Sequence, residues 1–138
     1  ILTQSSWSGA PIGEVIHSAL APHGVAEGRL DVSGPAIELG ADHALTLALA
    51  INELITNAVK YGALSVEGGR VTLSWQAGLG GSAEPFRLEW VEHGGPAVKA
   101  PNRAGFGSRL IERVAAQKFG GAATLDYAPE GFRYRLVT

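Results

Sequence analysis

The 138-residue chain has no cysteine and no methionine, and is sparing with aromatic residues (7%) and with charge (17%). The lack of cysteine excludes a disulfide framework and any thiolate metal site. No apolar run approaches the roughly 18 residues of a membrane span, and the first residues lack the layout of a secretory signal. A net charge of −2 and a pI near 6.1 provide no basic field for nucleic acid or for an anionic membrane surface. Neither is therefore an expected partner, and an anionic ligand must be gripped locally. What remains is a chain 46% hydrophobic, enough for one core and too short for two. Because it opens on Ile1 and holds no methionine, it reads as a domain excised from a longer protein. Residues 1–10, with Trp7 among small polar residues, read as a lead-in, and residues 11–138 as the domain proper.

Local patterning gives three helices and five or six short strands. Ile12, Val15, Ile16, Ala19 and Leu20 share one face of a helix that Pro22 and Gly24 end. Arg29–Ser33 alternates like a strand, Gly34-Pro35 turns the chain, and a second extended piece covers Ala36–Leu39. A long helix spans about Ala41 to Tyr61, with Gly62 as its C′ residue. Val71, Leu73 and Trp75 alternate with polar residues, as do Phe86, Leu88 and Trp90, suggesting antiparallel strands with one buried face. Ser108 is placed to cap a helix with Leu110, Ile111, Val114 and Ala115 inward, which Gly120-Gly121 ends near Phe119. A hairpin over 123–136 closes the chain. The strands come as hairpins rather than regular βαβ units, so the expected fold is an α+β two-layer sandwich. Its mixed, mostly antiparallel sheet is covered on one face by three helices.

The long helix carries the main functional signal. At about 100° per residue, Asn52, Glu53, Thr56, Asn57 and Lys60 fall within an arc of roughly 140°, opposite Ile51, Leu54, Ile55, Ala58 and Val59. Leu45 and Leu49 lie at the angles of this polar stripe, so the first half of the helix is expected to be buried nearly all round. Glu53, Asn57 and Lys60, at i, i+4 and i+7, present a carboxylate, an amide oxygen and an ammonium. Such a set suits a magnesium–phosphate site, since a hard cation accepts a neutral amide oxygen and completes its shell with phosphate and water. Lys60 would neutralise phosphate, and Glu53 could orient or deprotonate a nucleophile. The same residues also suit a plain solvated helix face.

A second signal lies downstream. Trp90-Val91-Glu92-His93-Gly94-Gly95-Pro96 leaves a buried strand with a carboxylate just ahead of two glycines, and Gly105-Phe106-Gly107-Ser108 enters a helix through two more. A carboxylate beside closely approaching backbone suits an amino-bearing heterocycle, and free N–H groups at a helix start suit an anion. Gly78-Leu79-Gly80-Gly81-Ser82 joins strand to strand instead of strand to helix, and reads as a turn, not a phosphate loop.

Taken together, these residues resemble a known family. Asn52-Glu53-Leu54-Ile55-Thr56-Asn57-Ala58-Val59-Lys60-Tyr61-Gly62-Ala63-Leu64 resembles the N box of the GHKL superfamily of histidine kinases, type II topoisomerases, mismatch-repair ATPases and heat-shock chaperones. Trp90-Val91-Glu92, Gly94-Gly95-Pro96 and Gly105-Phe106-Gly107-Ser108-Arg109-Leu110-Ile111-Glu112-Arg113 are similar to elements of the HWE-type (HisKA_2-related) bacterial sensor histidine kinases. The resemblance implies an ATP-binding catalytic domain with ATP and Mg²⁺ as cofactors. Asn57 would hold the metal, Lys60 the phosphates, Tyr61 the adenine end, and Glu92 would receive the adenine amino group. Asn52 would join the nucleotide site. Gly94, Gly95, Gly105 and Gly107 would shape the lid and its hinges, where Arg103 could touch phosphate. Glu53 would be the catalytic carboxylate, orienting the acceptor imidazole.

Two departures stand out. Asn52 occupies the position where the HWE subgroup has His, and Arg109 replaces the third lid glycine of many kinases. His17, His23, His43 and His93 are the only histidines, and none lies in a long helical hairpin. The resemblance therefore implies an acceptor histidine on an upstream dimerisation domain and, indirectly, a response regulator. It also implies a cytoplasmic bacterial location, in a full protein that could be membrane-anchored. The rival readings are a GHKL ATPase, an anti-sigma-type serine kinase and a non-catalytic nucleotide-binding domain.

Overall fold

The computed structural model of the chain describes residues 9–26, 28–76, 86–97 and 110–138. Short β1 (Gly9–Pro11) leads straight into α1 (Ile12–Leu20), with Pro11 at φ −62 supplying the extended residue ahead of the helix. A 3₁₀ turn over Ala21–His23 follows and is closed by Gly24 in the left-handed region. Then come β2 (Leu30–Ser33), β3 (Glu38–Gly40) and the long α2 (Ala41–Lys60). A second 3₁₀ turn, Ala63–Ser65, connects α2 to β4 (Arg70–Gln76), and β5 (Arg87–His93) pairs back on it. A π-helical turn, Leu110–Val114, runs into α3 (Ala115–Phe119), and the hairpin of β6 (Ala122–Ala128) and β7 (Gly131–Val137) ends the fold.

The main sheet has the order β2-β4-β5-β7-β6, with β2 parallel to β4 and every other pair antiparallel. β1 and β3 form a separate two-stranded antiparallel ribbon. Period-two alternation decides which face is buried. Val71, Leu73 and Trp75 of β4, Leu88, Trp90 and Glu92 of β5, and Tyr134 and Leu136 of β7 point inward, with polar residues between them. All of these but Glu92 form one cluster with Ile12 and Ile16 of α1, Leu47, Ile51, Leu54, Ile55 and Ala58 of α2, and Ala115 and Phe119 of α3. The architecture is thus the α+β sandwich read from the sequence, three helical segments on one face of a mixed sheet. Fully burying a Leu, Ile or Phe of this cluster contributes about 1.5–3 kcal/mol. The Tyr134 hydroxyl, pushed up in pKa by burial, donates to the Ile111 carbonyl at 2.6 Å and ties the sheet to the π turn.

Four expectations need correction. α2 is not buried all round in its first half: Leu45 is 62% and Leu49 47% exposed. A helix laid on a sheet buries one stripe, and among the described residues nothing covers the opposite one, so the open face runs the length of α2. Val59 (40%) flanks that face and is exposed too. Val114, expected inward, is 44% exposed while Ile111 and Ala115 are buried, because the wider π turn breaks the 3.6-residue spacing on which the expectation rested. Gly62 does stand at C′, directly after the Tyr61 cap, but with φ −107 it is not left-handed. Its glycine has another cause, found at the site below. The expected Gly78–Ser82 turn, the Ser108 cap and the Trp7 lead-in lie outside the described residues.

Candidate functional site

α2 has no Gly or Pro in its 20 residues, and Asp42 in its first turn and Lys60 in its last complement the helix dipole. Its buried stripe fixes the helix on the sheet, which leaves Asn52 and Lys60 exposed and Glu53, Thr56 and Asn57 half-buried on the outward side. The side chains of Glu53, Asn57 and Lys60 make no hydrogen bond or ion pair among the described residues. The Asn57 carbonyl accepts the N–H groups of Tyr61 (2.8 Å) and Gly62 (3.1 Å), ordering the end of the row. Asn52 alone in this row has a side-chain partner: its Oδ1 lies 2.9 Å from His23 Nε2.

The other end of the site is buried. Glu92 is 5% exposed, facing inward because it lies two residues after Trp90 on the same strand face. Its Oε2 accepts the Trp90 indole N–H at 2.9 Å, and its Oε1 accepts the Ala63 backbone N–H at 3.0 Å. Burial raises its pKa from the ordinary 4.5, and the two hydrogen bonds pull in the opposite direction. This carboxylate explains Gly62, where a Cβ would stand 2.2 Å from Glu92 Oε1. Gly95 faces the same turn, and a Cβ there would come within 2.5 Å of the Ala63 Cα. Gly94 takes φ +73 to make that approach. These glycines thus have a packing reason whether or not a ligand is near. Tyr61, one residue before Gly62, is 74% exposed.

Arg29 completes this end and was not singled out in the sequence. Its guanidinium donates to the carbonyls of Gly69 (3.0 Å), Ala63 (3.4 Å) and Val66, stapling the loop that follows α2. A lone Arg ahead of a strand carries no motif, so no sequence signal could have found it. The Trp90 to Glu92 bond joins an i, i+2 pair on one strand face, which the sequence reading did not anticipate either.

The structure therefore joins Glu53, Asn57 and Lys60 of α2, and Tyr61 that caps it, to Glu92, Gly94 and Gly95 through the Gly62–Ala63 turn. Gly105, Gly107, Arg103 and Arg109 lie outside the described residues. No group of three or more His, Asp or Glu side chains that could hold a metal occurs among the described residues. The donor set on α2, one neutral amide oxygen with a carboxylate a turn away, suits a hard cation that takes its remaining ligands from phosphate and water. A cavity of about 420 Å³ lined by Asp31, Arg70, Thr72 and His93 opens on the other face of the sheet. Its lining also includes Arg29 and Val71, and no residue of the α2 row.

No family model matches the chain. It is 39% identical over 132 residues to the blue-light-activated histidine kinase of Brucella anthropi, covering 95% of this chain and 27% of that protein. Identity to the Brucella ovis protein of the same name is 36% over the same length and coverage. The chain thus spans about a quarter of the length of the curated relatives it matches. Among solved structures, the Erythrobacter litoralis EL346 blue-light activated histidine kinase superposes with a TM-score of 0.70 at 18% identity, over 91% of this chain and 39% of that one. The mycobacterial sensor histidine kinase MprB gives a TM-score of 0.67 at 20% identity, over 94% and 95%. At such identities the structural likeness speaks for the fold alone, while the Brucella relatives carry the sequence kinship. In sequence the chain is thus similar to about a quarter of the Brucella blue-light-activated histidine kinases, and in fold to the catalytic domains of histidine kinases.

Proposed function

We propose that this domain binds ATP with Mg²⁺ along the outward face of α2 and delivers the γ-phosphoryl group to a histidine on another domain of the full protein. The observation that carries this reading is the row of Glu53, Asn57 and Lys60, without partners among the described residues, which ends at the turn that the buried Glu92 holds. Lys60 neutralises phosphate oxygens. Asn57 would offer a bound Mg²⁺ its amide oxygen, and the cation would neutralise phosphate charge. Glu92 has both oxygens engaged once, yet a carboxylate has about four acceptor positions, so lone pairs remain for an adenine amino group. Tyr61 covers the base edge, with Gly94 and Gly95 letting backbone approach it. Glu53 orients the incoming imidazole, and most of the rate comes from positioning and electrostatics.

The acceptor is assigned to a histidine-bearing dimerisation domain outside this chain, with a response regulator as the later recipient and the cytoplasm as the compartment that supplies ATP. No described helix is long and apolar enough to cross a membrane. The decisive test is calorimetric titration of ATP with Mg²⁺ into the chain and into Asn57→Ala. The variant is expected to lose binding at equal thermal stability, and unchanged affinity sinks the site.

A further inference from the structure

We propose that His23 is a positioning residue of the nucleotide site, holding the Asn52 amide so that its Nδ2 hydrogens face the phosphate-binding row; this rests on the function proposed above. His23 is the last residue of the 3₁₀ turn after α1, and Asn52 lies 29 residues later on α2, with Nε2 and Oδ1 2.9 Å apart. An amide oxygen can only accept, so the imidazole donates its Nε2 proton to it. In its Nε2–H tautomer the ring selects the amide orientation that turns Oδ1 toward it and leaves Nδ2 free. Pro22 within the turn and left-handed Gly24 after it, whose N–H bonds the Ala21 carbonyl at 3.3 Å, hold the imidazole in place.

Asn52, Thr56 and Lys60 are spaced i, i+4 and i+8 and so form one ridge of α2. With the amide oriented by His23, the ridge presents an NH₂ group, a hydroxyl and an ammonium in line. Such a ladder of donors suits the successive oxygens of a polyphosphate.

The test is calorimetric titration of the 138-residue chain with Mg-ATP and, separately, adenosine, for His23→Ala, His23→Gln, Asn52→Ala, the His23→Ala/Asn52→Ala double variant and Asn57→Ala, alongside melting curves. His23→Ala and Asn52→Ala are each expected to weaken ATP binding about three- to tenfold, the scale of one lost hydrogen bond. The double variant should be no weaker than either alone, because both remove the same interaction. His23→Gln, which keeps an N–H donor, should recover most of the affinity, and adenosine affinity should not move. Normal ATP binding by His23→Ala, or additive losses in the double variant, overturns the positioning role while a defective Asn57→Ala leaves the site standing. Normal binding by every variant overturns both.

Discussion

At the Glu92 end of the site the side-chain polar groups that meet at the turn are matched before any ligand arrives: the carboxylate holds the Trp90 indole and the Ala63 amide, and Arg29 holds three loop carbonyls. Along α2 the reverse holds, with Glu53, Asn57 and Lys60 unpartnered among the described residues. One end spends its polar groups on fixing geometry, and the other keeps them for solvent or ligand. Substitutions at the first should therefore be read out as stability, and at the second as affinity.

The largest effect is expected from Gly62→Val. Its side chain enters the space of Glu92 Oε1, and overpacking of this kind costs about 3 kcal/mol; a denaturation midpoint equal to that of the parent chain would show the turn to be soft. Glu92→Gln comes next, at about 1–2 kcal/mol, because an NH₂ group must then face one of the two N–H donors. Its pH dependence sharpens the point. Since burial raises the Glu92 pKa above 4.5, the folded chain holds that proton more tightly than the unfolded one. The stability so gained is full below pH 4.5 and is lost as pH rises through the folded pKa. The parent chain should thus lose ground against Glu92→Gln across that window in urea titrations, and a gap independent of pH would contradict the burial of the charge.

At the open end, Lys60→Ala should weaken ATP binding about tenfold, roughly 1.4 kcal/mol, while leaving the melting temperature in place. A fall in stability matching the fall in affinity would erase the distinction between the two ends. The smallest effect is expected from Leu49→Gln. At 47% exposure it should stay within about 0.5 kcal/mol of the parent, whereas a loss of about 2 kcal/mol or more, as for a core leucine, would mean that the α2 face is covered after all.

Much of the fold was legible. The alternation of Val71, Leu73 and Trp75 with Thr72 and Ser74 named the buried face of β4 because side-chain direction in a strand depends on parity alone. The polar row on α2 was legible for a similar reason, since helical angle follows from spacing. Illegible features depend on what a residue meets. Leu45 and Leu49 share their angles with Asn52 and Thr56, and no count along the chain says that the outward face stays open over them. Gly62 was read as a helix terminator from its place after Tyr61, but it is required by a carboxylate 30 residues downstream. The parallel pairing of β2 with β4, the Arg29 staple and the His23 to Asn52 bond are likewise long-range encounters without local trace.

The sequence by itself determined the elements, the inward faces and the chemistry carried by α2 and by the Trp90–Glu92 strand, because periodicity and residue type are local properties. Tertiary structure alone decided that Glu92 is already engaged, that the glycines at 62 and 95 clear room for a turn, and that the Asn52 amide meets the imidazole of His23. Each of these is set by distance between segments far apart in the chain, and distance is fixed only when the core is packed.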